Sequence, residues 1–70
     1  MRYRHELTDR RGAVRMRLYV SYGRAVLYPA ERGALDYQEM DKAAAARVLK
    51  AWRWLAATPG RVFTLTREAW

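Results

Sequence analysis

The sequence predicts a small α+β domain of order β-β-β-α-β, an antiparallel sheet with one helix packed on one face. Three observations carry that prediction. Val14, Met16, Leu18 and Val20 recur at every second position with Arg15, Arg17 and Tyr19 between them, the period-2 pattern of a half-buried strand. Ala44, Val48, Trp52 and Leu55, joined by Ala45, Leu49 and Ala56, fall on one arc of a helical wheel. Gly12, Gly23 and Gly60 stand where this pattern requires the chain to turn.

Taken in order, Tyr3, His5 and Leu7 alternate with Arg2, Arg4 and Glu6 and read as a first strand. Asp9-Arg10-Arg11-Gly12 follows as a turn: Asp suits its first position, and Gly12 accepts the left-handed conformation that returns the chain through a bulge. The Val14–Val20 strand comes next. Tyr22-Gly23 closes it, and Arg24 to Tyr28 forms a third strand ending at Pro29, which has no N–H to donate. Pro29 to Gly33 reads as a surface connection. Leu35 to Met40 is open between a short strand, a turn and an early helix.

Asp41 would fall inside the apolar arc of the helix, so it reads as the N-cap, with Asp36 and Glu39 offering a competing start. Thr58-Pro59-Gly60 stops the helix, and Arg61 to Arg67 is a last strand with Phe63 and Leu65 inward and Thr64 and Thr66 outward. The expected core is Leu7, Val14, Met16, Leu18, Val20, Val26, Val48, Leu49, Trp52, Leu55, Phe63 and Leu65.

A chain of 70 residues makes one domain, residues 1–70, with a core that yields only a few kcal/mol at this size. With no cysteine and one histidine, no disulfide or structural zinc site holds it together, which suits a cytoplasmic setting, and no cofactor or metal is expected. No secretory signal is visible. The most apolar stretch, Ala43 to Ala57, is interrupted by Arg47, Lys50 and Arg53, so no membrane span is expected.

Charge is the strongest global feature: 14 basic against 7 acidic residues give a net +7 and a pI near 10.6. Residues 1–24 hold seven arginines against Glu6 and Asp9, the middle of the chain is acidic, and residues 47–70 hold five cations against Glu68. Such an excess favours a polyanionic partner: nucleic acid, a nucleoprotein, or an acidic protein surface. Most of these cations are arginines, which fork onto phosphate and stack on rings.

If the second strand is central, Arg15, Arg17 and Tyr19 lie beside Arg2 and Arg4 on the face away from the helix. That grouping would neutralise several phosphates and reach base edges, and few acids stand among the cations to calm their repulsion. The bland alternative is a solvated face partly compensated by Glu6. A secondary surface is the polar side of the helix, where Arg47, Lys50, Arg53 and Trp54 gather. There the helix dipole alone would favour basic residues toward the C-terminus.

Three strands followed by a packed helix, with an Arg-rich second strand, is similar in element order over residues 2–57 to the AP2-type plant DNA-binding domains and the arm-binding domains of some tyrosine integrases. That resemblance implies a sheet laid into the major groove. The chain lacks the aromatic and glycine signatures of those domains and adds a strand after the helix.

The leading expectation is therefore a non-enzymatic nucleic-acid-binding protein. The alternative is a small stoichiometric inhibitor or adaptor of the phage-borne, anti-CRISPR type, binding a nucleoprotein effector or an acidic protein surface; size, absence of cysteine and separate acidic and basic stretches fit that class. A third reading is a metal-free ribonuclease using His5 as base with Arg15, Arg17 and Tyr19. Ser21 and the threonines sit in no nucleophile elbow or glycine-rich loop. Self-association as a homodimer, through an edge strand or Trp70, is left open.

Overall fold

The alternating first half of the chain becomes three hairpin-linked strands in the computed structural model, which describes residues 2–29, 37–60 and 62–69. These are β1 (Tyr3–Asp9), β2 (Val14–Ser21) and β3 (Arg24–Pro29). They are followed by β4 (Gln38–Asp41), α1 (Lys42–Ala57) and β5 (Phe63–Ala69). All five strands share one sheet in the order β4-β3-β2-β1-β5, each neighbouring pair antiparallel. The α+β class stands, and among the described residues one helix covers the sheet and the strand count is raised by one. The extra strand comes from the segment before the helix, whose residues Gln38 to Asp41 pair with Leu27 to Arg24. It also separates the chain from a three-strands-then-helix order. The connection from Ala30, the competing cap Asp36, Arg61 and Trp70 lie outside the described residues.

Helix length follows from the crossing that α1 must make. The chain leaves the sheet at β4 on one edge and re-enters at β5 on the other, and four inter-strand spacings amount to about 19 Å. Sixteen helical residues span about 24 Å, enough to cross diagonally. Asp41 caps the start: its backbone is extended (φ −80, ψ 173), and its Oδ1 accepts the Ala44 N–H at 2.8 Å. At the other end the Thr58 hydroxyl donates to the Trp54 carbonyl at 2.8 Å, and Gly60 takes the left-handed conformation (φ 69) that turns the chain toward β5.

Between the sheet and the helix, Leu7, Leu18 and Ala25 of the strands meet Ala45 and Trp52 of α1, with Met16, Val20, Leu27, Met40, Val48, Leu49, Leu55, Phe63 and Leu65 packed around them. Two expected core residues are displaced. Met16 faces Leu7 but Val14 faces Thr8, so Arg15 is an extra residue in β2 that turns Val14 out of the inward row. In β3 the run Ala25-Val26-Leu27 has no alternation of its own. Pairing settles it: Leu27 lies opposite Leu18 and points in, whereas Val26 lies opposite Tyr19 on the other face.

The first hairpin is built around Asp9. Its Oδ1 accepts the N–H groups of Arg11 and Ala13 at 2.9 and 3.0 Å, its carbonyl accepts from Gly12 at 3.0 Å, and Gly12 has φ 84. The second hairpin turns on Tyr22 (φ 29) and Gly23 (φ 89), the two positive φ values of a type I′ turn. No helix among the described residues is long and apolar enough to cross a membrane.

The register is testable by substitution. Leu18→Ala is expected to lower the unfolding free energy by about 2–5 kcal/mol, and Val26→Thr by less than about 1 kcal/mol, both read from urea titrations. Equal losses would contradict the parity assigned to β2 and β3. Asp41→Ala is expected to cost about 1 kcal/mol, with Asp41→Asn recovering most of it.

Candidate functional site

Strand alternation sorts the cations onto two sides of the sheet. Arg4, Arg17 and Tyr19 come together on the face away from α1, since Arg4 pairs with Tyr19 and Arg17 pairs with Glu6. Arg24 shares that face, opposite Ser21. Arg15 sits at the bulge, its guanidinium 3.9 Å from the Asp9 carboxylate. Arg2 precedes β1, outside any strand.

Carboxylates interleave the arginines of this open face, contrary to the expectation that few acids stand there. Arg17 Nε donates to Glu6 Oε2 at 2.7 Å, Arg4 Nε lies 3.9 Å from the same oxygen, and Arg4 Nη2 donates to Glu68. Arg24 lies 3.5 Å from Glu39. The hydrogen bond and charge of Glu68 push the Arg4 guanidinium further above its ordinary pKa. Pairs this exposed to solvent add little to the stability of the fold; their main effect is to leave the face close to neutral. Beside them Tyr19 and Tyr28 meet edge to face at 5.4 Å, and Tyr28 lies 5.8 Å from Tyr37.

The solvent face of α1 is built differently. Its sequence, KAAAARVLKAWRWLAA, carries Lys42, Arg47, Lys50 and Arg53 and no acid. None of the four forms an ion pair with a described residue. Arg47, Lys50 and Trp54 follow the i, i+3, i+7 spacing of one helix face, and Arg53 is adjacent. Trp54 is 69% exposed, whereas Trp52 is buried. The last turn holds no basic residue, so the helix dipole does not account for these cations.

Arg67, which belongs to neither of the surfaces expected from the sequence, joins this side. It continues the inward row of Phe63 and Leu65, lies opposite His5, and places its guanidinium 5.0 Å above the Tyr3 ring. The alternation of β5 was the available signal. Arg10 and Arg11, likewise outside the expected surfaces, follow Asp9 within the turn, and with Asp9, Arg15 and Val62 they line a shallow hollow.

His5 is buried under the helix, 6.4 Å from Tyr3, while Arg17 and Tyr19 are on the opposite face. The sheet thus separates the base from the ring and guanidinium of the ribonuclease constellation. Among the described residues no group of three or more His, Cys, Asp or Glu side chains could hold a metal ion. Comparison with protein-family models, with curated proteins and with solved structures finds no match.

Burial holds the His5 imidazole below its ordinary pKa, and the positive charges of Arg67 and Arg53 lower it further. The folded protein therefore holds His5 neutral, and the unfolded chain takes up the proton first. Its contribution to stability is complete above about pH 6.5, the ordinary histidine value, and is lost as the pH falls from there toward the lower folded value. In urea titrations at pH 7 and pH 5, the loss on acidification is expected to be smaller in His5→Phe than in the wild type. An equal loss would remove His5 as its cause.

Proposed function

We propose that this protein is a non-enzymatic nucleic-acid-binding module that grips a single strand along the solvent face of α1, in a cytoplasmic setting. The observation that carries this reading is the helix's four cations with no acid among them. Exposed helices ordinarily relieve like charges with acids three or four residues away, and like-charge pairs at those spacings cost a few tenths of a kcal/mol each. Arg47–Lys50 and Lys50–Arg53 are such pairs. A phosphate backbone relieves that repulsion and releases its own counterions. Trp54, exposed beside these cations, offers a ring on which an unstacked base can lie, the combination typical of single-strand binding. Arg67 extends the positive surface toward the β5 edge.

This moves the leading surface from Arg2, Arg4, Arg15, Arg17 and Tyr19 to Arg47, Lys50, Arg53 and Trp54. A polyanion approaching the open face meets Glu6, Glu39 and Glu68 together with the arginines, and gains little there. That face favours a second reading, in which the Tyr19–Tyr28–Tyr37 rings and their paired charges dock on a protein, as an inhibitor or adaptor of a nucleoprotein would.

Fluorescence anisotropy with labelled single-stranded DNA, RNA and duplex DNA tests the proposal. Three helix cations engaging phosphates predict a roughly 20-fold loss of single-strand affinity between 50 and 200 mM salt. Arg47→Glu with Lys50→Glu is expected to abolish single-strand binding without lowering the thermal midpoint. Trp54→Ala is expected to cost about 1–3 kcal/mol on a single strand and to leave duplex binding little changed. Unaltered binding by the double variant would overturn the assignment. Loss of binding in Arg17→Gln alone would return the site to the sheet.

A further inference from the structure

The hollow beside the first hairpin carries chemistry that the helix face does not use. Its volume is about 370 Å³, at the small end of ligand pockets, which run from about 300 to 1,000 Å³. Arg10, Arg11 and Arg15 surround it with Asp9, and Val62 forms an apolar wall. We propose that this hollow binds a phosphate monoester, the terminal phosphate of a nucleic-acid strand whose body lies on α1. The inference rests on the single-strand reading above.

Three features point to a dianion. The turn that presents the arginines is braced by four hydrogen bonds: Asp9 Oδ1 accepts from the Arg11 and Ala13 N–H groups, the Asp9 carbonyl accepts from Gly12, and the Asp9 N–H donates to the Ala13 carbonyl. The Asp9 carboxylate is thus committed to the backbone and to Arg15, 3.9 Å from its Oδ2, while Arg10 and Arg11 form no ion pair with a described residue. Among the described residues that line the hollow, three arginines and one aspartate leave two positive charges around one small volume. A phosphodiester within a strand carries one negative charge; a monoester carries about 1.5 to 2 at neutral pH, and a strand bears it only at an end. Guanidinium forks suit its oxygens. Val62, 40% exposed, gives the terminal sugar or base an apolar contact.

The position also fits. Val62 lies just past Pro59-Gly60, beyond the C-terminal end of α1, and Trp54 is in the helix's last turn. A strand running along the helix toward that end arrives at the hollow.

The test compares one ten-nucleotide oligothymidine with a 5′-phosphate, with a 3′-phosphate, and with hydroxyls at both ends, against the wild type and the Arg10→Gln/Arg11→Gln double variant. Both substitutions leave the backbone N–H of Arg11 free to donate to Asp9. One phosphorylated end is expected to bind the wild type roughly ten-fold more tightly than the hydroxyl oligonucleotide, as charge-assisted hydrogen bonds predict, and the double variant should lose that advantage while keeping its affinity for the hydroxyl form. No advantage in the wild type, or an advantage that survives the double substitution, would overturn the inference. So would thymidine 5′-monophosphate, or a phosphoserine peptide, binding as tightly as the phosphorylated oligonucleotide. The hydroxyl oligonucleotide reads the helix face alone, so its failure to bind would count against the single-strand reading and would be seen separately from loss of the phosphate advantage.

Discussion

Leu18, with no exposed surface, sits in the middle strand between His5 of β1 and Leu27 of β3, and the pairing that encloses it sets both faces of the sheet. Side chains alternate along a strand, so placing Leu18 under α1 takes Met16 and Val20 with it and sends Arg17 and Tyr19 outward. A slip of one residue would carry the Arg17 guanidinium into the core, at a cost of several kcal/mol. Neighbouring strands inherit this parity. Leu7 and His5 turn inward while Arg4 and Glu6 turn outward, and Glu6 arrives opposite Arg17 because Leu7 and Leu18 must both be buried.

The same constraint divides the electrostatics. On the open face, cross-strand pairing brings Glu6, Glu68 and Glu39 to Arg17, Arg4 and Arg24, and the charges largely cancel. Under the sheet, one edge gathers Arg67 and Arg53 around a buried, neutral His5. The helix adds Lys42, Arg47 and Lys50 with no acid. Among the described residues, the excess positive charge is therefore concentrated on the helix side and at the first hairpin and is nearly absent from the open face. In the proposed function, the sheet acts as the scaffold that holds a positive helix away from its own acids.

Elements with strong periodicity were legible in the sequence. The rows of β1 and β2, the arc of α1, the burial of Trp52 and the Asp41 cap follow from spacing and from the hydrogen bond an N-cap supplies. β4 was not, because Gln38, Glu39, Met40 and Asp41 form a short, polar edge strand with one inward residue, too little for a pattern. Val26 and Leu27 were indistinguishable until Leu18 chose between them. The acids on the open face were hidden for a related reason: Glu68 reaches Arg4 only because β5 adds to β1, a contact spanning 64 residues of sequence. Charge counted along the chain points to β1 and β2; charge counted across the sheet leaves its unpaired excess on α1, the surface used in the proposed function. Arg67 could have been assigned in advance, since Phe63 and Leu65 had already fixed the parity of its strand.

Amide chemical-shift mapping of the ¹⁵N-labelled protein titrated with a single-stranded oligonucleotide would show whether the proposed solvent face of the helix is where a polyanion binds. Binding along the helix is expected to give saturable shifts concentrated from Arg47 to Ala57, together with the indole N–H of Trp54, and small changes at Arg4, Arg17, Tyr19 and Tyr28. Shifts centred on those four sheet residues, with the helix unmoved, would contradict it.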